Sequence, residues 1–245
     1  MSYQLLGLAL LVLFCAMPAM AEEQFETDLI ETSAGELEIT FIGHGTLMFR
    51  FNDKVIHIDP WTRLADYSKL PKADLVFVTH HHGDHLDPGA IETISNDKTV
   101  LVLTEICAEN IEGGVIMRNG DAQTLMGIDV LAVPAYNLVH MRDSGEPFHP
   151  EGEGNGYVLT FGDTRVYIAG DTENTPEMKN LEEIDVAFLP MNLPYTMTPE
   201  MVADAVEAFK PRVLYPYHYG ETEMSELFEL LKDNKDTEVR VRKME

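Results

Sequence analysis

The chain has 245 residues, of which 42 are Asp or Glu and 17 are Lys or Arg, so its formal net charge is -25 at pH 7. A surface this acidic repels phosphate backbones and anionic membranes, which argues against a nucleic-acid partner. No Ser/Pro-rich linker, internal repeat or low-complexity tract divides the sequence. We therefore expect residues 22–245 to form one domain, with a tightly fused pair as the alternative, while the oligomeric state stays open.

The first twenty-one residues predict an export signal. Residues 5–14 form a short apolar core, and Ala19-Met20-Ala21 has the small-x-small pattern of a signal-peptidase site. We expect cleavage after residue 21, a periplasmic or secreted mature chain, and no stable membrane association after cleavage. No Lys or Arg precedes the apolar core, so an uncleaved anchor is the alternative.

Apolar runs in the first half predict β-strands. Strands are expected at 37–42, 46–51 and 54–59, then at 75–79, 100–104, 115–117 and 128–134. Asn52-Asp53 is typical of a hairpin turn, and Asp87-Pro88 of the N-cap and first position of a helix.

The second half repeats this strand-rich pattern. Strands are expected at 156–161, 165–169, 186–190 and 213–217, and apolar side chains at helical spacing predict helices at 199–210 and 223–232. Strands mixed with helices in two halves predict an α+β fold in which two sheets pack together and are covered on both sides.

A dense group of metal-binding side chains follows the predicted strand at 75–79. It contains His80, His82, Asp84 and His85. His80 and His82 are two residues apart in extended chain and project to the same side, while the turn at Gly83 lets Asp84 and His85 face a second ion. Imidazole and carboxylate are ligands for Zn, Mn and Fe. A solvated polar loop is the alternative, but packing requires no such density of ligands.

Three further positions extend the predicted metal site. Asp171 follows Gly170 at a strand end and can bridge two cations, although Asp after Gly is often a simple turn. His218 also ends a strand, where a packed core histidine is the alternative. His149 precedes a glycine-rich loop, and His140 competes with it as the third histidine.

This order of motifs resembles that of the metallo-β-lactamase-fold hydrolases. Within that superfamily the chain looks most similar to the branch that contains L-ascorbate-phosphate lactonase-like and other Zn-dependent hydrolases. Besides the metal motifs, the resemblance rests on four segments: Ile42-Gly43-His44, Ile58-Asp59-Pro60, Pro134-Ala135-Tyr136-Asn137 and Tyr195-Thr196-Met197-Thr198.

The resemblance implies a four-layer αββα sandwich with the site at one edge of the sheets. It also implies two divalent metal ions, for which we expect zinc, with manganese or iron as alternatives. His80, His82 and His149 would hold one ion, Asp84, His85 and His218 the other, and Asp171 would bridge them. The resemblance favours His149 over His140, because the loop at 149–152 falls where the family has its third histidine.

Other polar residues near these motifs have supporting roles in this reading. Asp84 is the candidate catalytic residue, because it can orient a water or return a proton to the leaving group. Asp59 can hydrogen-bond the outer nitrogen of a ligand histidine, and His44 either has a secondary role or packs in the core. His57 and His81 are expected to be structural or exposed. Tyr217 and Tyr219 either line the pocket or pack.

We therefore expect an exported metal-dependent hydrolase that acts on a small ester, lactone or phosphodiester. A phospholipase-D-like phosphodiesterase is one alternative, although it needs an apolar groove and the sequence suggests no exposed apolar stretch outside the leader. An iron-dependent oxidoreductase of the same fold is another, and a non-enzymatic metal-binding protein is the third. The acidic insert at 142–146 leaves the substrate contacts open.

Overall fold

The computed structural model describes residues 25–244 as two mixed β-sheets of seven strands each. In the first sheet the strands lie side by side in chain order. Strands β1 to β4 are antiparallel neighbours, and β4 to β7 are parallel ones. The strands of this sheet are β1 (Glu26–Thr32), β2 (Gly35–Gly43), β3 (Thr46–Phe51), β4 (Lys54–Ile58), β5 (Leu75–Phe77), β6 (Val100–Leu103) and β7 (Val115–Ile116).

The second sheet repeats the arrangement. Antiparallel neighbours from β8 to β11 are followed by parallel neighbours from β11 to β14. Its strands are β8 (Ala122–Leu125), β9 (Ile128–Ala135), β10 (Gly154–Phe161), β11 (Thr164–Ile168), β12 (Val186–Pro190), β13 (Val213–Tyr217) and β14 (Glu238–Val239). The helices in the described part of the chain are α1 (Pro88–Ile94), α2 (Pro176–Lys179), α3 (Pro199–Phe209) and α4 (Met224–Leu230).

The two sheets pack face to face through aromatic side chains. Phe77 of β5 lies 5.1 Å from Tyr157 of β10, and Phe49 of β3 lies 6.1 Å from Phe161, measured between ring centroids. All four side chains are buried. Side chains on a strand alternate between its two faces, so each strand with these inward residues also has an outer face to cover.

Helices cover the outer faces. On β5, Val76 points away from the second sheet and packs in a separate apolar cluster with Ile91 and Ile94 of α1. On the other side, the ring of Phe209 in α3 meets Tyr167 of β11 edge-on at 6.1 Å. The layers are therefore helix, sheet, sheet and helix, which confirms the predicted αββα sandwich.

The differences from the predicted elements fall mainly at the edges of the sheets. The sequence analysis missed β1, β8 and β14, because these edge strands are largely exposed and lack a strong apolar pattern. It also missed the four-residue helix α2. Strand β5 ends at Phe77 rather than at residue 79, because the backbone of Thr79 leaves the ladder and Thr79 N donates to Asp59 Oδ1 at 2.7 Å.

The predicted signal peptide, residues 1–21, lies outside the described residues. Among residues 25–244, no helix has both the length and the apolar character needed to cross a membrane.

Candidate metal centre

The side chains predicted to bind metal lie together at one edge of the sandwich. His80 and His82 follow β5, Asp171 follows β11, and His218 follows β13. These strands belong to the parallel parts of the two sheets, so the loops at their ends project toward the same edge. The long-range folding of both halves is needed to assemble the cluster, because no single loop carries all of its members.

The first group in the cluster consists of three imidazoles. The potential ligand nitrogens of His80, His82 and His149 all lie within 4.8 Å of one another. His80 Nε2 and His82 Nδ1 are 3.1 Å apart. Tetrahedral zinc, with bonds of ~2.1 Å, separates its ligand atoms by about 3.4 Å, so this spacing suits one ion.

Asp171 joins the first group to a second one. Its Oδ2 lies 3.3 Å from His149 Nε2 and 3.5 Å from His218 Nε2, while its Oδ1 lies 3.5 Å from His85 Nε2. Asp84 Oδ2 is 3.6 Å from His218 Nε2 and 3.8 Å from His85 Nε2. One carboxylate therefore faces both sets of histidines, which is the geometry expected of a bridging ligand.

Unpaired polar atoms indicate that these residues fit metal ions. Within the described chain, His85 Nε2, His218 Nε2 and Asp171 Oδ1 are buried and have no hydrogen-bond partner. Buried polar atoms are normally paired, and leaving one without a partner costs about 1–3 kcal/mol. Divalent cations would satisfy these atoms and offset the negative charge of Asp84 and Asp171.

His44 lies next to the candidate metal ligands, which decides between the two roles that its sequence left open. Its Nε2 is 3.2 Å from Asp84 Oδ2, and it forms a possible ligand group with Asp84 and His218. The third such group in the described chain consists of His80, His85 and Asp171. The ring centroid of His44 lies 3.7 Å from that of His218. His44 thus belongs to the wall of the site rather than to the core.

Asp59 supports the site from behind, as the sequence analysis expected. Its Oδ2 accepts a hydrogen bond from His85 Nδ1 at 2.8 Å and another from the Thr79 hydroxyl at 2.6 Å. This leaves His85 Nε2 free to face Asp84 and Asp171. Carboxylates that accept from the outer nitrogen of a ligand histidine fix its tautomer and ring orientation.

His149 is held by a second supporting network. Asn137 Oδ1 accepts hydrogen bonds from both the backbone N–H and Nδ1 of His149, at 2.8 and 2.7 Å. The Asn137 amide in turn donates to Glu173 Oε1 at 3.1 Å and to the carbonyl of Tyr195 at 2.9 Å. The outer nitrogen of His149 is therefore fixed, and its Nε2 is directed at Asp171.

Glu173 organises the loop that carries Asn137. The backbone N–H groups of Leu138, Val139 and His140 donate to its carboxylate at 2.6–2.8 Å. His140 Nδ1 also lies 2.6 Å from Glu173 Oε1, so His140 serves this loop and is absent from the three ligand groups. Burial alone would raise the pKa of Glu173, but these hydrogen bonds outweigh it and lower the pKa. The structure thus gathers His149, and not His140, with the other candidate ligands.

Backbone geometry also shapes the site. His44, Asp59 and His218 have φ values of 50°, 45° and 45°, in the left-handed region that side chains other than Gly rarely adopt. At Gly170, with φ 66°, an added Cβ would lie 2.9 Å from the Cβ of Thr79. The glycine therefore allows the two sheets to approach closely beside Asp171.

Charges within the site bias the protonation of its histidines. Burial lowers the pKa of His82 to about 4, and His149 and His81 reinforce that shift. Burial alone would lower the pKa of His85 as well, but Asp171 and Asp59 raise it to about 9. The site therefore favours positive charge beside Asp171 and keeps the imidazole of His82 neutral, as a metal ligand must be.

The cluster opens into a cleft of about 560 Å³. Its other walls come from Trp61, Arg142, Phe148, Asn192 and Tyr195. Tyr217 and Tyr219 are not among the lining residues. Tyr217 is fully buried and accepts from Gly170 N at 2.9 Å, and the hydroxyl of Tyr219 donates to the Arg242 carbonyl at 2.8 Å, so both pack.

An exposed apolar segment precedes the cleft residue Arg142 in the chain, contrary to the sequence-based expectation of no such stretch outside the leader. Leu138, Val139 and Met141 are exposed by 44%, 64% and 43%. Because Glu173 binds the backbone N–H groups at this loop, the side chains face solvent. The role of Glu173 was also missed, and its position directly after Gly170-Asp171-Thr172 is the signal that was available.

Two other histidines stay outside the ligand groups. His57 is buried, with its Nε2 3.2 Å from the carbonyl of Pro71, and His81 is partly buried. Cys107 is buried as a free thiol.

Comparison with known proteins defines the class. The profile of the β-lactamase superfamily domain matches residues 38–218. The chain is 33% identical over 198 residues to the UPF0173 metal-dependent hydrolase of Methanopyrus kandleri (strain AV19), covering 75% of this chain and 84% of that relative. The chain therefore belongs to the β-lactamase superfamily, which confirms the predicted family.

Two solved structures named as metal-dependent or metallo hydrolases resemble this chain in sequence and fold. A crystal structure from Parabacteroides distasonis ATCC 8503, proposed to be a metal-dependent hydrolase, is 46% identical and superimposes with a TM-score of 0.86. The match covers 91% of this chain and all of that one (100%). Igni18, a metallo hydrolase from Ignicoccus hospitalis KIN4/I, is 26% identical with a TM-score of 0.69, over 85% of this chain and 96% of its own.

Proposed function

We propose that this protein is a metal-dependent hydrolase that uses two divalent metal ions, most simply zinc, on a small ester, lactone or phosphodiester. The observation that carries the proposal is the position of Asp171, whose oxygens lie 3.3–3.5 Å from His149, His218 and His85. His80 and His82 would complete the ligands of the first ion, and Asp84 those of the second. The names of the relatives as metal-dependent hydrolases support the same reading.

The chemistry follows from this ligand set. A pair of divalent cations supplies an acidified water and a Lewis acid for a carbonyl or phosphoryl group. Asp84 is the chain's own candidate for moving the proton, because it lines the cleft and its side chain is 33% exposed. Burial alone would raise the pKa of Asp84, but the neighbouring imidazoles of His218 and His44 outweigh it and lower the pKa. The carboxylate is therefore ionised, so it can accept a hydrogen bond from a water and orient it.

A phosphodiesterase of the phospholipase-D-like kind is a second candidate. The exposed side chains of Leu138, Val139 and Met141, which closely precede the cleft residue Arg142 in the chain, favour it, because they offer an apolar surface for an acyl chain. A phosphodiester tested with and without an acyl chain separates the two candidates. Faster cleavage of the acylated compound supports the second one.

The test combines metal analysis of the purified mature protein with a substrate panel. Lactones, phosphodiesters and β-lactams are offered to the metal-free protein reloaded with Zn, Mn or Fe. Hydrolysis restored by Zn or Mn supports the proposal. Oxygen uptake with iron points instead to an oxidoreductase, and bound metal with neither reaction indicates a binding protein.

We also propose that the mature protein is periplasmic or secreted. The apolar core at residues 5–14 and the Ala19-Met20-Ala21 site support this. N-terminal sequencing of protein recovered from an expression host should begin at Glu22. An intact N-terminus in the membrane fraction would indicate an anchor.

A further inference from the structure

Arg142 is a cationic side chain in the wall of the metal-site cleft of an otherwise acidic protein. Within residues 25–244, it is the only Lys or Arg that lines the metal-site cleft. The same cleft is lined by Asp84 and Asp171, and the chain as a whole has a net charge of -25. Besides the metal ions that the site would hold, Arg142 is therefore a permanent positive charge in the cleft wall that an anionic ligand can contact.

Arg142 also lacks the carboxylate partner that most other arginines of this chain have. Arg118 lies 2.8 Å from Glu105, and Arg242 lies 2.7 Å from Asp28, but no carboxylate of the described residues lies within 4.0 Å of Arg142. This holds even though acidic residues 143 and 146 belong to the same short hairpin. An unpaired guanidinium in a chain with 42 acidic residues is available for an external anion.

The hairpin fixes Arg142 in the cleft. Its backbone N–H donates to the carbonyl of Glu146 at 2.7 Å, and Met141 pairs with Pro147 across the hairpin. The guanidinium stacks over the ring of Phe148 at 5.0 Å, and one Nη donates to the Phe148 carbonyl at 3.1 Å. A guanidinium has five N–H donors, so this anchoring leaves donors for a ligand. It also reduces the rotamer entropy that binding would cost.

We propose that Arg142 and Phe148 form an anion-binding subsite, so that the substrate carries a carboxylate or phosphate group in addition to the bond that is cut. This rests on the proposed hydrolase function and narrows its substrate class. The planar guanidinium suits bidentate contact with either anion. Arg142 would be a specificity-determining residue, with the chemical step left to the metal site.

The single tryptophan of the chain, Trp61, lines the same cleft and reports binding by its fluorescence. The metal-containing protein is titrated with benzoate, with phenylphosphonate, and with neutral benzamide. Arg142→Gln is compared with Arg118→Gln, which removes the same charge outside the cleft, and with Arg142→Lys. Metal content is measured in every variant to check that the site is intact.

Loss of a hydrogen bond to a charged group corresponds to a loss of about tenfold to a hundredfold in affinity. We expect Arg142→Gln to weaken binding of at least one anion by that factor, Arg142→Lys to restore part of it, and Arg118→Gln and benzamide to show no such effect. Preference for benzoate or for phenylphosphonate tells which anion the subsite takes. The proposal is overturned if anion binding is unchanged in Arg142→Gln or equally weakened in Arg118→Gln. It is also overturned if the wild type binds neither anion.

Activity separates this proposal from the one on which it rests. A neutral ester and its carboxylated analogue are offered to the same variants. If neither is hydrolysed by metal-loaded protein, the hydrolase function fails for esters, while the fluorescence result still decides the subsite. If both are hydrolysed, Arg142→Gln should lower kcat/KM for the anionic ester alone.

Discussion

Replacing Asp59 by Asn should weaken metal binding without changing a single metal ligand. Asp59 accepts from Thr79 N, from the Thr79 hydroxyl and from His85 Nδ1, at 2.6–2.8 Å. An Asn amide has only one oxygen. Whichever way it turns, its NH₂ group faces a donor, either the backbone N–H of Thr79 or Nδ1–H of His85.

The expected magnitude follows from these contacts. Losing a hydrogen bond to an ionised group costs about 1.5–3 kcal/mol, which should appear in the free energy of unfolding of the metal-free protein. If His85 escapes the conflict by moving its proton to Nε2, that nitrogen can no longer bind metal. Changes of this kind behind a ligand histidine lower metal affinity by about 10- to 100-fold. Asn tolerates the left-handed φ of 45° at this position, so the backbone is preserved.

The assay is a competition titration of the metal-free protein with a chromogenic zinc chelator. Asp74→Asn is the matched control, because Asp74 also accepts a backbone N–H, from Val55 at 2.8 Å, and belongs to no ligand group. Wild-type zinc affinity in Asp59→Asn, or an equal loss in Asp74→Asn, would refute the reasoning.

Three further predictions use other parts of the structure. His149→Ala should lower metal stoichiometry and activity together, whereas His140→Ala should change activity only modestly. Elemental analysis and an ester hydrolysis assay check both. Full metal loading in His149→Ala and loss of metal in His140→Ala would show that His140 is the ligand instead. Glu173→Gln should destabilise the protein by about 2 kcal/mol in urea unfolding and weaken zinc binding, because the amide cannot accept hydrogen bonds from all the donors of the loop. Unchanged zinc affinity would show that Glu173 does not support the metal site. Burial lowers the pKa of His57 to about 4, from 6.5 in the unfolded chain, so the unfolded state binds the proton first. The free energy of unfolding should therefore fall by about 3 kcal/mol as the pH drops from about 6.5 to 4. His57→Gln, which still donates to the Pro71 carbonyl, should lose that part of the pH dependence. An identical pH profile in the variant would count against this role of His57.

The sequence predicted much of the site because its signals are local. His80 and His82 are two residues apart after an apolar strand, and Asp171 and His218 also follow apolar strands, so their common position at strand ends could be read directly. The same regularity predicted the inner strands and helices α3 and α4, and Asp87-Pro88 predicted the start of α1. The mixture of strands and helices in two halves predicted two packed sheets covered on both sides, and the family resemblance implied the αββα sandwich with the site at one edge.

What the sequence did not predict depends on contacts between distant segments. Glu173 gains its role only when the loop at residues 138–140, more than thirty positions earlier, brings its backbone N–H groups to the carboxylate. The two readings offered for Tyr217 differ only in which way the side chain points, and packing against Gly170 decides that. Edge strand β1 is mostly exposed, so no apolar alternation marks it.

The central claim is that two metal ions share Asp171. Anomalous diffraction from crystals of the zinc-loaded protein tests it most directly, because it locates each ion independently of any substrate. We expect two peaks on either side of the Asp171 carboxylate, one among His80, His82 and His149 and the other near His85 and His218. At least one peak should be lost in Asp171→Asn. A single peak in the wild type, a peak at His140, or two full peaks in Asp171→Asn would contradict it.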